Sequence, residues 1–529
     1  MKRLLMLALT MSAPCALLYA QTLIRVPQDQ PTVQAGINAA VNGDTVLVAE
    51  GTYTENIVIT KKIVVGSLYV VDVNDTSHIS KTILDGSSPR HPDSAAVVTI
   101  DGATDTTTMI VGFTITGGTG NVRTAEALAY RVGLGIEVAG GGATIRRNIL
   151  TANNVVTSLR PGGVISIWDP ADVNGVTFVV VDSNTIADNS LTGYQVEGGA
   201  LALGHNCRIF RNRILRNSVT GTVLLGLGAA AQIWNGTITF DENLIRNNSA
   251  SQWGGALQIN QYQGRGPTVT LVNNIIANNS AGTQGGALWV SDVPSTILSI
   301  NNTIIGNTSP NGSGLYMRDT ASFKAINTIL WNPGTSEITL STGGTVTAAY
   351  SNIRGGLTGT GNINSDPLFS STHPDSLGWF QYYSACRDAG AASATVGGTL
   401  LTAPTIDYYE HLRDGTPDIG AFEAGIWSSV EEVSGGIPAD FILEQNYPNP
   451  FNPSTVIRFA LPKEADVQID IYNILGQKVE DLVNERLSAG FKQVTWTANV
   501  PSGVYLYRIT VSAVGGQRYE QAKSMVFVR

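Results

Sequence analysis

The chain is poor in cysteine, with three in 529 residues, and poor in charge, with Asp, Glu, Lys and Arg making up 14%. Cys15 sits in the leader described below, which leaves Cys207 and Cys386, and two distant thiols are not a disulfide framework. Basic runs are missing too. A formal charge of -9, with no cluster of Lys and Arg, excludes a surface that would grip a nucleic-acid backbone, so no nucleic-acid partner is expected. Beyond the first twenty residues no apolar run is long enough to cross a membrane, and no transmembrane segment is expected in the mature chain. There is no phosphate loop, nucleophile elbow or zinc-type His cluster, and no metal site is expected.

What is present is glycine, at 57 residues, and a hydrophobic fraction of 43% spread along the chain, a profile of many short strands and tight turns. At this length one globular core is not expected, and a repeat architecture is. Lys2 and Arg3, the apolar run Leu4 to Leu9, and Ala16 to Ala20 before Gln21 have the layout of a secretory signal peptide, residues 1–20, cut near Ala20.

Seven segments share one register: Asn148 to Asn153, Asn184 to Asn189, Asn212 to Asn217, Asn243 to Asn248, Asn274 to Asn279, Asn302 to Asn307 and Asn327 to Asn332. Two after the first Asn stands Leu150, Ile186, Ile214, Ile245, Ile276, Ile304 or Ile329. Starts fall 25 to 36 residues apart, which suits one turn of a three-sided coil. Upstream, Val179/Val181, Cys207/Ile209, Ile238/Phe240 and Val269/Leu271 alternate as strands with one face in a core. Gly198-Gly199-Ala200-Leu201, Gly254-Gly255-Ala256-Leu257 and Gly285-Gly286-Ala287-Leu288 mark a further corner and strand. Equivalent positions in successive coils lie about 4.8 Å apart, where side-chain amides can hydrogen-bond along the stack, so the fourteen asparagines are expected to form a structural ladder. Cys207 falls in the inward column and is expected in the core.

Pro31 to Ala40 places Val33, Ile37 and Ala40 on one helical face, an expected cap over the first coil, and contains the run Thr32 to Ile37. That run, with Gly43-Asp44-Thr45-Val46, Gly51 to Ile57, Ile83-Leu84-Asp85-Gly86 and Gly112 to Gly118, resembles the opening of pectin-lyase-like right-handed β-helix proteins. The resemblance implies an all-β fold, a right-handed parallel β-helix (solenoid) over residues 21–360 with an N-terminal cap. Asp366-Pro367-Leu368-Phe369, Asp388-Ala389-Gly390 and Asp418 to Glu423 resemble a module, 361–424, that follows such helices before a C-terminal anchor. Its acidic residues lack the spacing of a calcium loop, and turn capping is expected of them.

Residues 425–440 read as a linker. Asn446-Tyr447-Pro448-Asn449-Pro450-Phe451-Asn452-Pro453 excludes helix, and alternating strands then run through Val456 to Leu461, Val467 to Tyr472 and Val504 to Ile509, predicting a small β-sandwich over 441–529. With Tyr472 to Gln477, Gly503-Val504-Tyr505 and Lys523, this stretch resembles the type A sorting domain of the type IX secretion system. The resemblance implies a Gram-negative bacterium, passage through its outer membrane by that machinery, and a passenger attached to the cell surface or released.

For chemistry the sequence offers Asp182 and Asp241 in one column, with Phe210 in the coil between them. Two coils are about 9.6 Å, the outer limit for an inverting carboxylate pair. Arg211 and Glu242 are equivalent in adjacent coils and fit a surface ion pair, as do Asp188 and Arg216. Asp182, Asp241, Arg211 and Glu242 are the catalytic candidates should the chain be a polysaccharide lyase or glycoside hydrolase, with calcium entering only for a lyase; otherwise no cofactor is expected. Trp289 alternates with inward Leu288 and Val290 and is expected to face outward near Trp234 and Trp253, where indoles would stack on sugar rings. The leading expectation is a monomeric, non-enzymatic exported passenger that binds glycans or another surface partner.

Overall fold

The computed structural model describes residues 22–102, 104–125, 127–168, 178–261, 264, 266–291, 295–369, 384–413, 415–423, 430–433, 438, 440–498, 500–513 and 517–528; the expected signal peptide and much of the expected linker lie outside them. The chain divides into two units, residues 1–423 and 424–529.

The first unit is a right-handed parallel β-helix whose coils each feed three stacked sheets. The first sheet has twelve strands, from Leu23–Val26 to Thr345–Ala349; the second has eleven, from Gly51–Tyr53 to Asn352–Ile353; the third has ten, from Ile57–Ile59 to Ile338–Leu340. All are parallel and in continuous register, as in Val179, Cys207, Ile238, Val269, Ile297 and Phe323 of the first sheet. These side chains are fully or almost fully buried, Cys207 among them, and burial pushes its thiol pKa up. At about 1.5–3 kcal/mol per buried aliphatic side chain, such columns hold the stack against the entropy of ordering it.

The N-terminal coil is covered by the helix Val33–Ala39, capped by Thr32 Oγ1, which accepts from Ala35 N at 3.1 Å. The Glu55 carboxylate accepts from the free first-turn amides of Val33 and Gln34, and Lys61 Nζ donates to the carbonyls of Ile37, Asn38 and Ala40 at the other end.

Between the first and second sheets the chain turns in two residues, one left-handed and one ladder asparagine. Arg147, Ser183, Arg211, Glu242, Asn273 and Asn301 hold φ between 51° and 56° just before Asn148, Asn184, Asn212, Asn243, Asn274 and Asn302. Ala152, Asp188, Arg216, Asn247, Asn278 and Gly306 hold φ between 53° and 65° before the second column. Within each column an amide accepts, on Oδ1, the backbone N–H and the Nδ2 of the preceding coil's asparagine, and its own Nδ2 donates to a carbonyl and to the next Oδ1; at the ends Asn148 and Asn153 accept from Phe113 N and Gly118 N, and Asn302 Nδ2 donates to Ser299 Oγ. Along the second column the Nδ2 to Oδ1 distances run 3.3, 2.9, 3.0, 2.9, 2.9 and 2.8 Å from Asn153 to Asn332.

The first column ends one coil sooner than the spacing predicts. Thr303 pairs with Ile329 and Ile304 with Leu330, so Thr328 stands below Asn302 and Asn327 occupies the left-handed position, at φ 50°. The inward aliphatic residue of that coil is Leu330, not Ile329. Ser299 Oγ and Thr328 Oγ1, 2.9 Å apart, and Ser351 Oγ, which accepts from Thr328 N, take over from amides. One residue fewer at the next corner restores Asn332 to the second column.

The second unit packs two four-stranded antiparallel sheets on one core that includes Phe451, Ile457, Phe459, Ile469, Trp496 and Tyr507. Beside the expected strands it contains Lys478–Leu487, Gly490–Thr497 and Gln517–Phe527. Asn446 is its buried polar hinge: Nδ2 donates to Pro448 O and Thr455 Oγ1, and Tyr507 Oη accepts from Asn446 N while donating to Glu444 O. Tyr447 stands exposed beside it.

Candidate functional site

The third sheet carries a cleft of about 240 Å³ on its outer face. Its floor is a column in register, Ser166, Ala202 and Gln232, each alternating with inward aliphatic neighbours. Two insertions wall it. The hairpin Gly120–Ala125 with Leu128–Val132 brings Tyr130, and the strand Arg160–Gly162 pairs in parallel with that hairpin and brings Arg160.

Three aromatic rings meet at the cleft, edge to face: Tyr130 and Trp168 at 5.3 Å between centroids, Trp168 and Trp234 at 6.3 Å. Trp234 lies across Gly204, where a Cβ would come within 2.8 Å of its indole nitrogen, so a side chain there would displace the ring. Arg160 Nη1 meets Glu197 Oε1 at 3.4 Å, and Gln195 Nε2 donates to the same oxygen at 2.7 Å. Burial pushes the Glu197 carboxyl above the usual carboxylate range, with Arg160 and Gln195 opposing. Ser166 Oγ, Gln232 Oε1 and Asn260 Oδ1 are buried, line the cleft and lack a hydrogen-bond partner. Such groups are left open where a ligand supplies the bond. Glu197 is the one carboxylate among the described lining residues, so no acid and base pair faces across it.

Of the tryptophans expected at a sugar platform, Trp234 lines this cleft. Trp289 does lie on the outward face but is 3% exposed: it stacks on Trp253 at 4.5 Å and 9°, and its Nε1 donates to Gln284 Oε1. The expectation of an exposed Trp289 fails because alternation gives the face of a strand and not what lies over it. Trp168 directly follows the third-sheet strand Ile165–Ile167, in the position that Gly204 and Trp234 hold in the next two coils, and the glycine between the two indoles hid that column in the sequence.

The catalytic candidates lie elsewhere, along the corner between the first two sheets. Asp182 accepts from Arg146 at 2.9 Å and Asp241 from Arg208 at 2.8 Å, while the guanidinium groups of Arg208 and Arg211 lie over the ring of Phe210 between them at 4.2 and 4.5 Å. Arg211 Nε donates to Glu242 Oε2 at 2.6 Å and its Nη1 pairs with Glu410. Burial raises the pKa of Glu242. Asp188 and Arg216 form a bidentate surface pair.

Glu410 belongs to the segment 384–423, which docks down that corner. Asn273 Nδ2 donates to Ile406 O, Asn273 Oδ1 accepts from Arg413, Asn301 Nδ2 donates to Asp418 O, and Asn327 exchanges two bonds with Ala391. The ion pair Arg413–Glu423, 2.8 Å with side chains 2% and 1% exposed, sits at its centre. Arg211 and Glu242 thus share their column with a docking seam.

Among the described residues no three His, Cys, Asp or Glu side chains gather as a metal-binding group, and no helix is long and apolar enough to cross a membrane. No curated protein matches the chain. Residues 96–329 match the family model of the right handed beta helix region, and residues 445–516 match that of the secretion system C-terminal sorting domain. The chain therefore joins a right-handed β-helix to a type IX secretion sorting domain, which makes it an exported protein, secreted or held at the cell surface.

Proposed function

We propose that the exported β-helix binds a glycan in the cleft over its third sheet, without turning it over. The observation that carries this reading is the combination of Tyr130, Trp168 and Trp234 around a floor of unpartnered Ser166 Oγ and Gln232 Oε1. Ring faces and edges contact the C–H surfaces of a sugar, and open hydroxyl and amide groups take its hydroxyls. A lone lining carboxylate, already paired with Arg160, suits orientation of a ligand better than hydrolysis, which needs two.

The test is retention of the mature chain on a panel of neutral and acidic polysaccharides, with unsaturated-uronate absorbance and new reducing ends followed in parallel, with and without calcium. Retention that Trp168→Ala or Trp234→Ala abolishes, with both chemical channels silent, is the expected result. Turnover in either channel would replace binding by catalysis, and an unchanged retention in both variants would move the site away from this cleft.

A further inference from the structure

We propose that a second cleft, on the corner between the first and second sheets, binds an oxyanion group, a sulfate or carboxylate, between Arg147 and Arg213. This cleft of about 440 Å³ lies on a different face of the coils that carry the aromatic one and is lined by Thr76 and Ile79 of an earlier segment, and by Arg147, Ser183, Thr185, Arg213 and the already paired Arg211.

The register explains the arrangement. Ile149, Thr185 and Arg213 are successive members of one outward column, and Arg147, Ser183 and Arg211 are successive members of the left-handed corner column. The middle coil therefore supplies short hydroxyl side chains, Ser183 and Thr185, while the coils on either side supply long guanidinium groups. Backbones two coils apart are separated by about 9.6 Å, which leaves room for one oxyanion over Thr185, the hydroxyl of Ser183 being donated to Asp182, with a guanidinium reaching in from each side. Planar guanidinium groups bind carboxylate and sulfate oxygens in pairs, at about 2.7–2.9 Å.

Most arginines around this corner already have a carboxylate: Arg146 has Asp182, Arg208 has Asp241, Arg211 has Glu242 and Glu410, and Arg216 has Asp188. Arg147 and Arg213 have none within salt-bridge distance among the described residues, and both are exposed. Asp182, the nearest carboxylate by sequence, is held by Arg146 and by Ser183 Oγ at 2.7 Å. In an acidic chain, two unneutralised guanidinium groups converging on one concave surface constitute an anion site.

The experiment titrates the full mature chain at low ionic strength with sodium sulfate and, separately, with a tetragalacturonate, by calorimetry. The substitutions come from neighbouring coils: Arg147→Asn, since asparagine occupies that left-handed position at Asn273 and Asn301, and Arg213→Thr, since threonine stands there at Thr185 and Thr303. Saturable binding of at least one probe, weakened at least tenfold in the double variant and unchanged in the control Arg458→Gln of the second unit, is expected. Equal affinity for both probes assigns a free anion, and tighter binding of the oligosaccharide assigns a group carried on a polymer. No saturable binding of either probe, or binding the double variant leaves intact, overturns the proposal. Trp234→Ala should leave this titration unchanged, which separates it from the aromatic cleft.

Discussion

Asn332 Nδ2 donates to Glu337 Oε1 at 2.6 Å while Glu337 Oε2 accepts from Asn332 N, so the second asparagine column ends on a carboxylate. The column has a direction: from Asn153 to Asn307 each Nδ2 donates to the Oδ1 of the next coil, which leaves a donor at the C-terminal end and calls for an acceptor there. Burial pushes the Glu337 carboxyl up to about 7 from an ordinary 4.5. A carboxyl raised on folding contributes stability below its unfolded value and loses it as pH climbs to the folded one. Wild type should therefore lose up to about 3 kcal/mol between pH 4.5 and 7 through this group, less what its partial exposure screens. Urea midpoints across that window should be flatter in Glu337→Gln; parallel curves for the two proteins would count against the assignment.

Corner and ladder positions should respond differently to mutation. Asn248→Ala strips acceptors from the buried N–H and Nδ2 of Asn217 and a donor from Ile214 O, at about 1–3 kcal/mol for each orphaned group. Asn247, next to it, is exposed and held at φ 58°; Asn247→Gly should be close to neutral and Asn247→Ala should cost about 1 kcal/mol. Chemical denaturation of the three variants decides it, and equal losses at both sites would refute the distinction.

Two tryptophans on the same sheet should separate stability from binding. Trp289→Ala removes a buried, stacked indole and should cost about 3–5 kcal/mol with glycan retention intact in the protein that folds. Trp234→Ala should leave the thermal midpoint nearly unchanged and abolish retention. Reversal of the two phenotypes would place the platform at Trp253 and Trp289.

Arg413→Ala should release the segment that follows the coil. It takes the Arg413 counter-charge from the buried Glu423 carboxylate and the donor from Asn273 Oδ1, a loss of about 3–5 kcal/mol. Limited proteolysis should then cut between residues 384 and 423 at least tenfold faster, with the coil itself still protected. Uniform digestion would mean that the segment and the coil stand or fall together.

The coil was legible in the sequence because a stacked amide leaves the same residue at the same place in turn after turn. Its last repeat was not: Ile329 and Leu330 are both aliphatic, Asn327 lies within one residue of the column, and a slip of one is invisible until hydrogen bonds fix it. The docking role of Asn273, Asn301 and Asn327 was hidden by the 64 to 140 residues between partners. The cleft was legible only through Trp234. Tyr130 and Arg160 come from insertions, and an insertion has no column to be compared with; Trp168 does share the column of Trp234, but Gly204 stands between them.

The stretch between the two asparagine columns keeps one length from Asn148–Asn153 through Asn302–Asn307, so inserted residues fall on the far side of the coil. Two sides are thereby frozen by their own hydrogen bonds while the third accepts loops of any length, and both walls of the aromatic cleft are such additions. The molecule is in effect a rail with a free edge. Foreign peptides grafted at an exposed tip such as Val223, 66% exposed, would extend that edge without touching the stack, and the sorting domain would carry them out of the cell with it.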